Sequence, residues 1–419
     1  MTAASNRLLA RNIAANYAYV GVMALVTLFV VPWYVRLLGT AQWGSVALCI
    51  TLQGLLFSLD MALGPLMLRD VARAAAQGRA QQAYARFLRW YALPAALLFV
   101  IGQIVLSAYA QYRAGQSAPL SADLLWAIRL ALLQFAFQFS NNAAIGYWNG
   151  REQQGRANRR LAAFALTKHA AALLTLLLWQ ATAVAYMLPF ALISALECLL
   201  NARAARNETV DLPSDVPAAS NNHRDVLGYA AAAMLAVAST QIDRAYLSFA
   251  LPTQQYGIYV LVSSLMLSML SLQMPIQRAF LPRLATSATP RDVASQMRRV
   301  LYVLLVVPAL LMAAFPEFTL RCWLHDPAIA AQGAETFRLL LLAVALMALA
   351  GPTALLLLHQ HRNATMARLN LVMLCAQVAV LVAITPRWGM LAGAAAWIAC
   401  ASIQLGFAIY WHRFRGADD

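Results

Sequence analysis

What most restricts this chain is a series of apolar runs, each about 20 residues long, that recurs from one end to the other. A helix of that length matches the hydrocarbon thickness of a bilayer. In lipid every backbone N–H and C=O must be satisfied within the structure, so repeated runs of this kind fold as helices rather than open sheets. Twelve can be drawn, near residues 12–34, 42–66, 90–112, 122–147, 161–180, 183–202, 226–250, 256–280, 300–322, 335–358, 366–384 and 389–411. The chain is 62% hydrophobic and only 11% charged, where a soluble domain carries about 25% charged residues. The expectation is an all-α, polytopic membrane protein with 12 transmembrane helices.

The net charge of +15 would suggest nucleic acid in a soluble domain, but here the arginines fall between the apolar runs. Alternate loops hold 22 of the 31 basic residues, and the opposite loops hold only Arg36, Arg113, Arg321 and Arg387. Positive charge gathers on the cytoplasmic side of a membrane protein, so both termini are expected in the cytoplasm and nucleic acid is not a partner. The N-terminal stretch leads into an apolar run too long for a signal peptide, so the first helix is expected to stay attached.

One polar interval, NARAARNETVDLPSDVPAASNNHRD from Asn201 to Asp225, divides the chain. Its prolines and lack of bulky apolar residues read as a linker. The expected organisation is an N-terminal six-helix half (1–205), a cytoplasmic linker (206–225) and a C-terminal six-helix half (226–419). Thr40, Gln42, Trp43 and Gly44 match Thr253, Gln255, Tyr256 and Gly257, each set opening the second span of its half. Halves with an even number of spans share one orientation, as in parallel-repeat transporters, and would face each other across a central cavity.

Charges inside the spans mark that cavity. The stretch YAAAAMLAVASTQIDRAYLSFAL, Tyr229 to Leu251, carries Asp243 and Arg244 side by side. A charge in the hydrocarbon region costs about 3 kcal/mol or more, so such residues face protein or a wet path. Adjacent helical positions point about 100° apart, so each of the two is expected to meet a different neighbour. Arg129, Arg278 and Lys168, the only lysine, also fall within or at the edges of spans, and each alone is open to a snorkelling role. Asp60 is either an ion site or a partner of Arg69 or Arg73. Polar stripes at helical spacing run along the first span (Asn12, Asn16, Tyr19), the fourth (Gln134, Gln138, Asn141) and the eighth (Ser264, Ser268, Ser271), where interhelical hydrogen bonding is the alternative to a cavity role. Taken together, Arg129, Lys168, Arg244 and Arg278 outnumber Asp60, Asp243 and Glu197. A surplus of positive charge suits an anionic cargo, and planar guanidinium groups match phosphate oxygens. Prolines 94, 189, 275, 308 and 352 would supply bends, as in many membrane helices.

Enzyme chemistry finds no support. Five scattered cysteines lack paired spacing, and His359 with His361 is too sparse a set for a metal, so no metal site and no cofactor are expected. There is no GxxxxGK[ST] loop, which leaves an ion gradient, the cargo's own gradient or a product-consuming partner as the energy source.

Several stretches resemble one family, the polysaccharide transporters (Wzx-type flippases for lipid-linked sugar units) of the multidrug, oligosaccharidyl-lipid and polysaccharide exporter superfamily. The stretches are Asn12 with Asn16, Pro32 followed by RLLGTAQWG (36–44), LDMALGPLMLRDVAR (59–73), YWNGREQQGRAN (147–158), QIDRAYLS (241–248), QQYGIYVL (254–261) and MPIQRAFLPRLA (274–285). The resemblance implies a bacterial inner-membrane protein that moves an undecaprenyl-diphosphate-linked oligosaccharide to the outer leaflet by alternating access. In that picture Arg244, Arg129, Lys168, Arg278, Asn141 and Asn16 line the substrate cavity, and Asp60 or Asp243 couples transport to H+ or Na+. Membrane lipids and a glycan polymerase are the expected partners. Two other readings compete: a cation-coupled multidrug antiporter of the same fold, which would depend on acidic residues, and a membrane glycan polymerase or ligase, which would carry a large outer loop that this chain lacks.

Overall fold

The computed structural model describes residues 3–116, 119–208, 223–273, 276, 280, 290–360 and 362–411. It is all-helical over those residues, and the chain is a multi-pass, all-α membrane protein. Two compact units, Met1–Ala230 and Ala231–Asp419, divide the chain.

In the first unit the helices are α1 (Ala3–Leu25), α2 (Val31–Phe57), α3 (Asp60–Ala76), α4 (Ala80–Gly115), α5 (Ala122–Gly150), α6 (Gln154–Leu178) and α7 (Ala183–Arg206). The second contains most of α8 (His223–Ala250), then α9 (Thr253–Ser271), α10 (Pro290–Leu301), α11 (Val307–Ala314), α12 (Pro316–Leu324), α13 (Pro327–His359), α14 (Asn363–Trp388) and α15 (Leu391–Tyr410). Most of the expected linker, 206–225, lies outside the described residues.

Nine helical segments among the described residues are long and apolar enough to cross a bilayer. The first, Ala14–Phe57, has 44 residues, about twice what one crossing needs. Gly39 breaks it with φ +69°, a left-handed conformation that glycine adopts at little cost, so two expected runs share this segment. The runs near 226–250 and 256–280 correspond to α8 and α9, which are not among the nine. Side chains 223–234 of α8 are not described, and α9 begins with Thr253, Gln254 and Gln255.

Two run boundaries differ from expectation. The run drawn at 42–66 stops at Phe57, where a turn at Ser58 and Leu59 starts α3 as a separate helix. The run drawn at 300–322 ends at Ala314, because Phe315 (ψ 59°) and Pro316 stop the helix before the short α12. The prolines also act in two ways. Pro94, Pro189 and Pro352 sit inside continuous helices. Pro32 and Pro308 instead follow π-helical turns at Val26–Val30 and Tyr302–Val306. A proline lacks the N–H that would bond the carbonyl four residues back and its ring crowds that carbonyl, which lies inside the widened turn in both cases.

The core of unit 1 is aromatic, with Tyr84, Phe87, Tyr91, Phe135, Phe139, Tyr147 and Trp148 closing the contact of α3, α4 and α5. Gly146 and Gly150 let α5 approach α3, since a Cβ at Gly146 would lie 2.7 Å from the Met67 sulfur. Small residues permit such backbone approach in membrane bundles, where apolar burial alone drives little association. On α4 the large side chains Leu93, Leu97, Val100, Ile101 and Ile104 are exposed along one face. A soluble helix would bury that stripe, so this face fits lipid.

Candidate functional site

Polar side chains collect in two places, one in each unit. In unit 1 the centre is Lys168 on α6, which is buried. Its ammonium donates to Glu197 Oε2 on α7 at 2.6 Å and to Gln138 Oε1 on α5 at 2.6 Å. The other carboxylate oxygen of Glu197 accepts from Asn141 Nδ2 at 3.0 Å. Asn201 Nδ2 donates to Asn141 Oδ1 at 2.8 Å, and Arg160 Nε donates to Asn201 Oδ1. Ser194 adds a contact to Gln138, and Gln53 of α2 donates to Gln134 Oε1 at 2.9 Å. The expected stripe Gln134, Gln138 and Asn141 is therefore one seam, three and four residues apart, that ties α5 to α2, α6 and α7.

Asn16 joins α1 to α6 beside this seam. It donates to Gln154 Oε1 at 2.7 Å and accepts from Asn158 Nδ2 at 2.5 Å. The side chain of Asn12 is not described. Arg129 is placed differently. Its guanidinium lies 4.8 Å over the exposed ring of Trp126, one turn away on α5, as a basic side chain does near a membrane interface. Among the described residues no hydrogen bond joins it to the Lys168 network. Asp60 heads α3 just after the break, where a carboxylate suits the positive end of a helix, and it accepts from Tyr91 Oη at 2.6 Å.

The YWNGREQQGRAN stretch builds the end of the same unit. Trp148 Nε1 donates to Glu208 at 2.7 Å, and Arg151 and Arg156 both pair with that carboxylate. Arg156 and Arg160 also lie over the Trp148 ring. Glu208, unremarkable in the sequence, is thus the anchor of the chain as it leaves α7.

In unit 2 Asp243 and Arg244 point apart, as their positions on α8 require. Asp243 is 1% exposed and Arg244 5%. One carboxylate oxygen of Asp243 accepts from Tyr259 Oη of α9 and from Trp397 Nε1 of α15, the latter at 2.9 Å. Its other oxygen is buried and has no hydrogen-bond partner among the described residues. Arg244 donates from Nε and Nη2 to Ser263 Oγ at 3.1 and 2.9 Å and from Nη2 to Ser264 Oγ at 3.0 Å. No carboxylate pairs with it among the described residues. Of the expected serine stripe only Ser264 meets the guanidinium, while Ser268 and Ser271 bond back to their own helix. Gly393 permits the contact of α15 with Tyr259, since a Cβ there would come within 2.5 Å of that ring.

Sequence reasoning missed Ser263, Tyr259, Trp397 and Glu197 as partners. Trp397 carried a usable signal, a tryptophan in the middle of the small-residue run AGAAAWIACA rather than at a span end, where membrane tryptophans gather. Arg278 lies outside the described residues. Among the described residues no group of three metal-ligating side chains converges.

No protein-family model matches the sequence, and no curated protein does. Solved structures do match. An inward-facing multidrug resistance MATE family transporter of the MOP superfamily aligns with TM-score 0.70 at 13% identity, over 94% of this chain and 95% of that one. An outward-facing structure, likewise of a MATE family transporter, aligns with TM-score 0.63 at 16% identity, over 98% and 96%. A MOP superfamily transporter from Pyrococcus furiosus, described as having a binding pocket of reverse polarity that suggests a different function, aligns with TM-score 0.62 at 14% identity, over 98% and 95%. Coverage is nearly complete on both sides, and the chain has the fold of these transporters.

Proposed function

We propose that this chain is an alternating-access flippase that moves an undecaprenyl-diphosphate-linked oligosaccharide repeat unit from the inner to the outer leaflet of the bacterial inner membrane. The observation that carries the reading is Arg244, a guanidinium buried on α8 and held, among the described residues, by two serine hydroxyls and no carboxylate. Hydroxyls accept three hydrogen bonds from it without cancelling its charge, so the site keeps affinity for an anion such as a diphosphate. Arg129, Lys168, Arg278, Asn141 and Asn16 are assigned to the same cargo, and Asp60 and Asp243 to coupling with H+ or Na+. The proposed halves are 1–205 and 226–419, joined by the linker 206–225, with both termini cytoplasmic. A glycan polymerase is the partner that would consume the product.

The fold supports transport, because its relatives are captured both inward- and outward-facing, the two states that alternating access needs. The Pyrococcus transporter, with its binding pocket of reverse polarity, supports a different function on this fold. A second reading, the cation-coupled multidrug antiporter, is favoured by the unpartnered oxygen of Asp243 and by the multidrug transporters among the neighbours.

A strain lacking the protein tests the two. The flippase reading expects lipid-linked oligosaccharide to accumulate on the inner leaflet, with rescue by the wild type and none by Arg244→Ala at equal membrane levels. Normal surface glycan without the protein, together with drug resistance on overexpression that needs Asp243 and not Arg244, would establish the antiporter instead.

A further inference from the structure

We infer that Glu197 is an internal stand-in for the cargo's anion: it occupies Lys168 while the site is closed, and a diphosphate displaces it. The inference rests on the anionic-cargo reading and adds to it the group with which the cargo must compete.

Three observations carry it. The first is the choice of residue. Arginine serves at every other basic position, and lysine appears once, at the buried site where a carboxylate is already seated. An arginine would hold Glu197 through two parallel hydrogen bonds in a fixed fork, whereas an ammonium is a compact point charge that exchanges one anion for another without a preferred plane. The second is spare capacity. Of the three N–H groups of Lys168, two are used among the described residues, by Gln138 and Glu197. The third is the surroundings of Glu197. It is 1% exposed, and apart from Lys168 its direct hydrogen-bond donor among the described residues is the neutral Asn141. Among the described residues Arg160 on α6, Tyr19 on α1 and its neighbour Cys198 also lie within its electrostatic reach. Arg160 is already engaged by Asn201.

The consequence is a proton. When an anion takes the ammonium, Glu197 is left buried beside an amide with no ion pair, and a carboxylate in that position neutralises rather than stays charged. The proton comes from water and ends on a Glu197 carboxyl oxygen. Cargo binding is thereby tied to uptake of one proton in unit 1, independently of Asp60 and Asp243. The ligand class is a phosphate-bearing anion. A lipid-linked diphosphate and free pyrophosphate share that chemistry, so both are used as probes.

The experiment measures binding of farnesyl diphosphate, inorganic pyrophosphate and farnesol to the purified full-length protein in nanodiscs. Wild type is expected to bind farnesyl diphosphate, and Glu197→Gln to bind it at least tenfold more tightly, because the amide removes the competing charge and its single oxygen can accept from only one of the two donors, Lys168 or Asn141. Lys168→Arg should bind at least tenfold more weakly, with Glu197 locked in the fork. At pH 8 wild type should take up about one proton per ligand bound, read with a pH dye in weak buffer. That reading needs no variant and stands if Glu197→Gln does not fold. Tighter binding of pyrophosphate than of farnesyl diphosphate would assign the site to free phosphate compounds and still support displacement of Glu197. Equal or weaker binding by Glu197→Gln, or binding to wild type with no proton uptake, would overturn the displacement while leaving an anionic cargo in place. Failure of every form of the protein to bind either diphosphate, with farnesol bound equally well, would overturn the cargo reading and the displacement together.

Discussion

The two buried charge sites are built on opposite plans. In unit 1 a lysine and a glutamate neutralise each other at 2.6 Å inside a seam of amides. In unit 2 an arginine and an aspartate adjoin in sequence and do not pair. The arginine is held by hydroxyls and the aspartate by a phenol and an indole. A neutralised pair is costly to break and supplies no net field. Two charges held by neutral groups cost less to alter and keep their fields. The contrast teaches that buried charge has two uses here: damage to the first site should fall on folding as well as on transport, and damage to the second mainly on transport.

The largest expected effect follows from breaking the neutral pair. Lys168→Ala leaves Glu197 buried without its counter-charge, which costs about 3–5 kcal/mol, enough to lower membrane levels. The double variant Lys168→Met/Glu197→Met removes both charges at similar volume and should recover most of that stability while losing transport. Thermal unfolding in detergent ranks them. If Lys168→Ala melts with the wild type, the pair is not closed in the folded protein and the contrast fails.

Next comes Arg244→Ala. Ser263 and Ser264 already bond the Val260 carbonyl, so neither hydroxyl is stranded, and the loss of stability should stay at about 1–3 kcal/mol. Transport should disappear even so. Arg244→Lys tests geometry, since an ammonium cannot span two hydroxyls as the fork does, and should transport poorly despite its charge. Export measured at matched membrane levels separates these outcomes, and full export by Arg244→Ala would remove unit 2 from the cargo path.

Gly393→Ala is a smaller and more local test. The added methyl group meets the Tyr259 ring at 2.5 Å, so the ring must move and its hydroxyl leaves Asp243. Overpacking of this kind costs about 1–3 kcal/mol. Tyr259→Phe deletes the hydroxyl without the clash and should cost about 1 kcal/mol. The two variants should share one altered response to pH or sodium in proteoliposomes, and different responses would show that packing matters there and the hydroxyl does not.

How much of this was open to a reader of the sequence depends on range. The all-helical, multi-pass class follows from hydropathy, because the bilayer demands length and closed backbone bonding of every segment alike. That Asp243 and Arg244 diverge follows from helix geometry alone. Their partners do not follow: Tyr259 is 16 positions from Asp243 and Trp397 is 154, and nothing local connects them. Lys168 counted as surplus charge along the chain, yet the antiparallel return of α7 sets Glu197 against it. The ends of the runs at Phe57 and Ala314 were hidden because hydropathy averages across a break, whereas Ser58 and Pro316 decide it.

The smallest change in stability should come from Asp243→Asn. Tyr259 and Trp397 both donate to one oxygen of Asp243, and the asparagine carbonyl can take that place with the same reach. The remaining carboxylate oxygen has no hydrogen bond to lose among the described residues, so its replacement leaves a buried NH2 group unsatisfied, a cost offset in part by removal of the buried charge, with a net loss of about 1 kcal/mol. What the amide cannot do is exchange a proton or bind a sodium ion as an anion does. Asp243→Asn should therefore fold and reach the membrane like the wild type while its transport in proteoliposomes no longer answers to an imposed pH or sodium gradient. An unchanged gradient response in this variant, alongside a lost response in Glu197→Gln, would move ion coupling from unit 2 to unit 1 and invert the division of labour between the two sites.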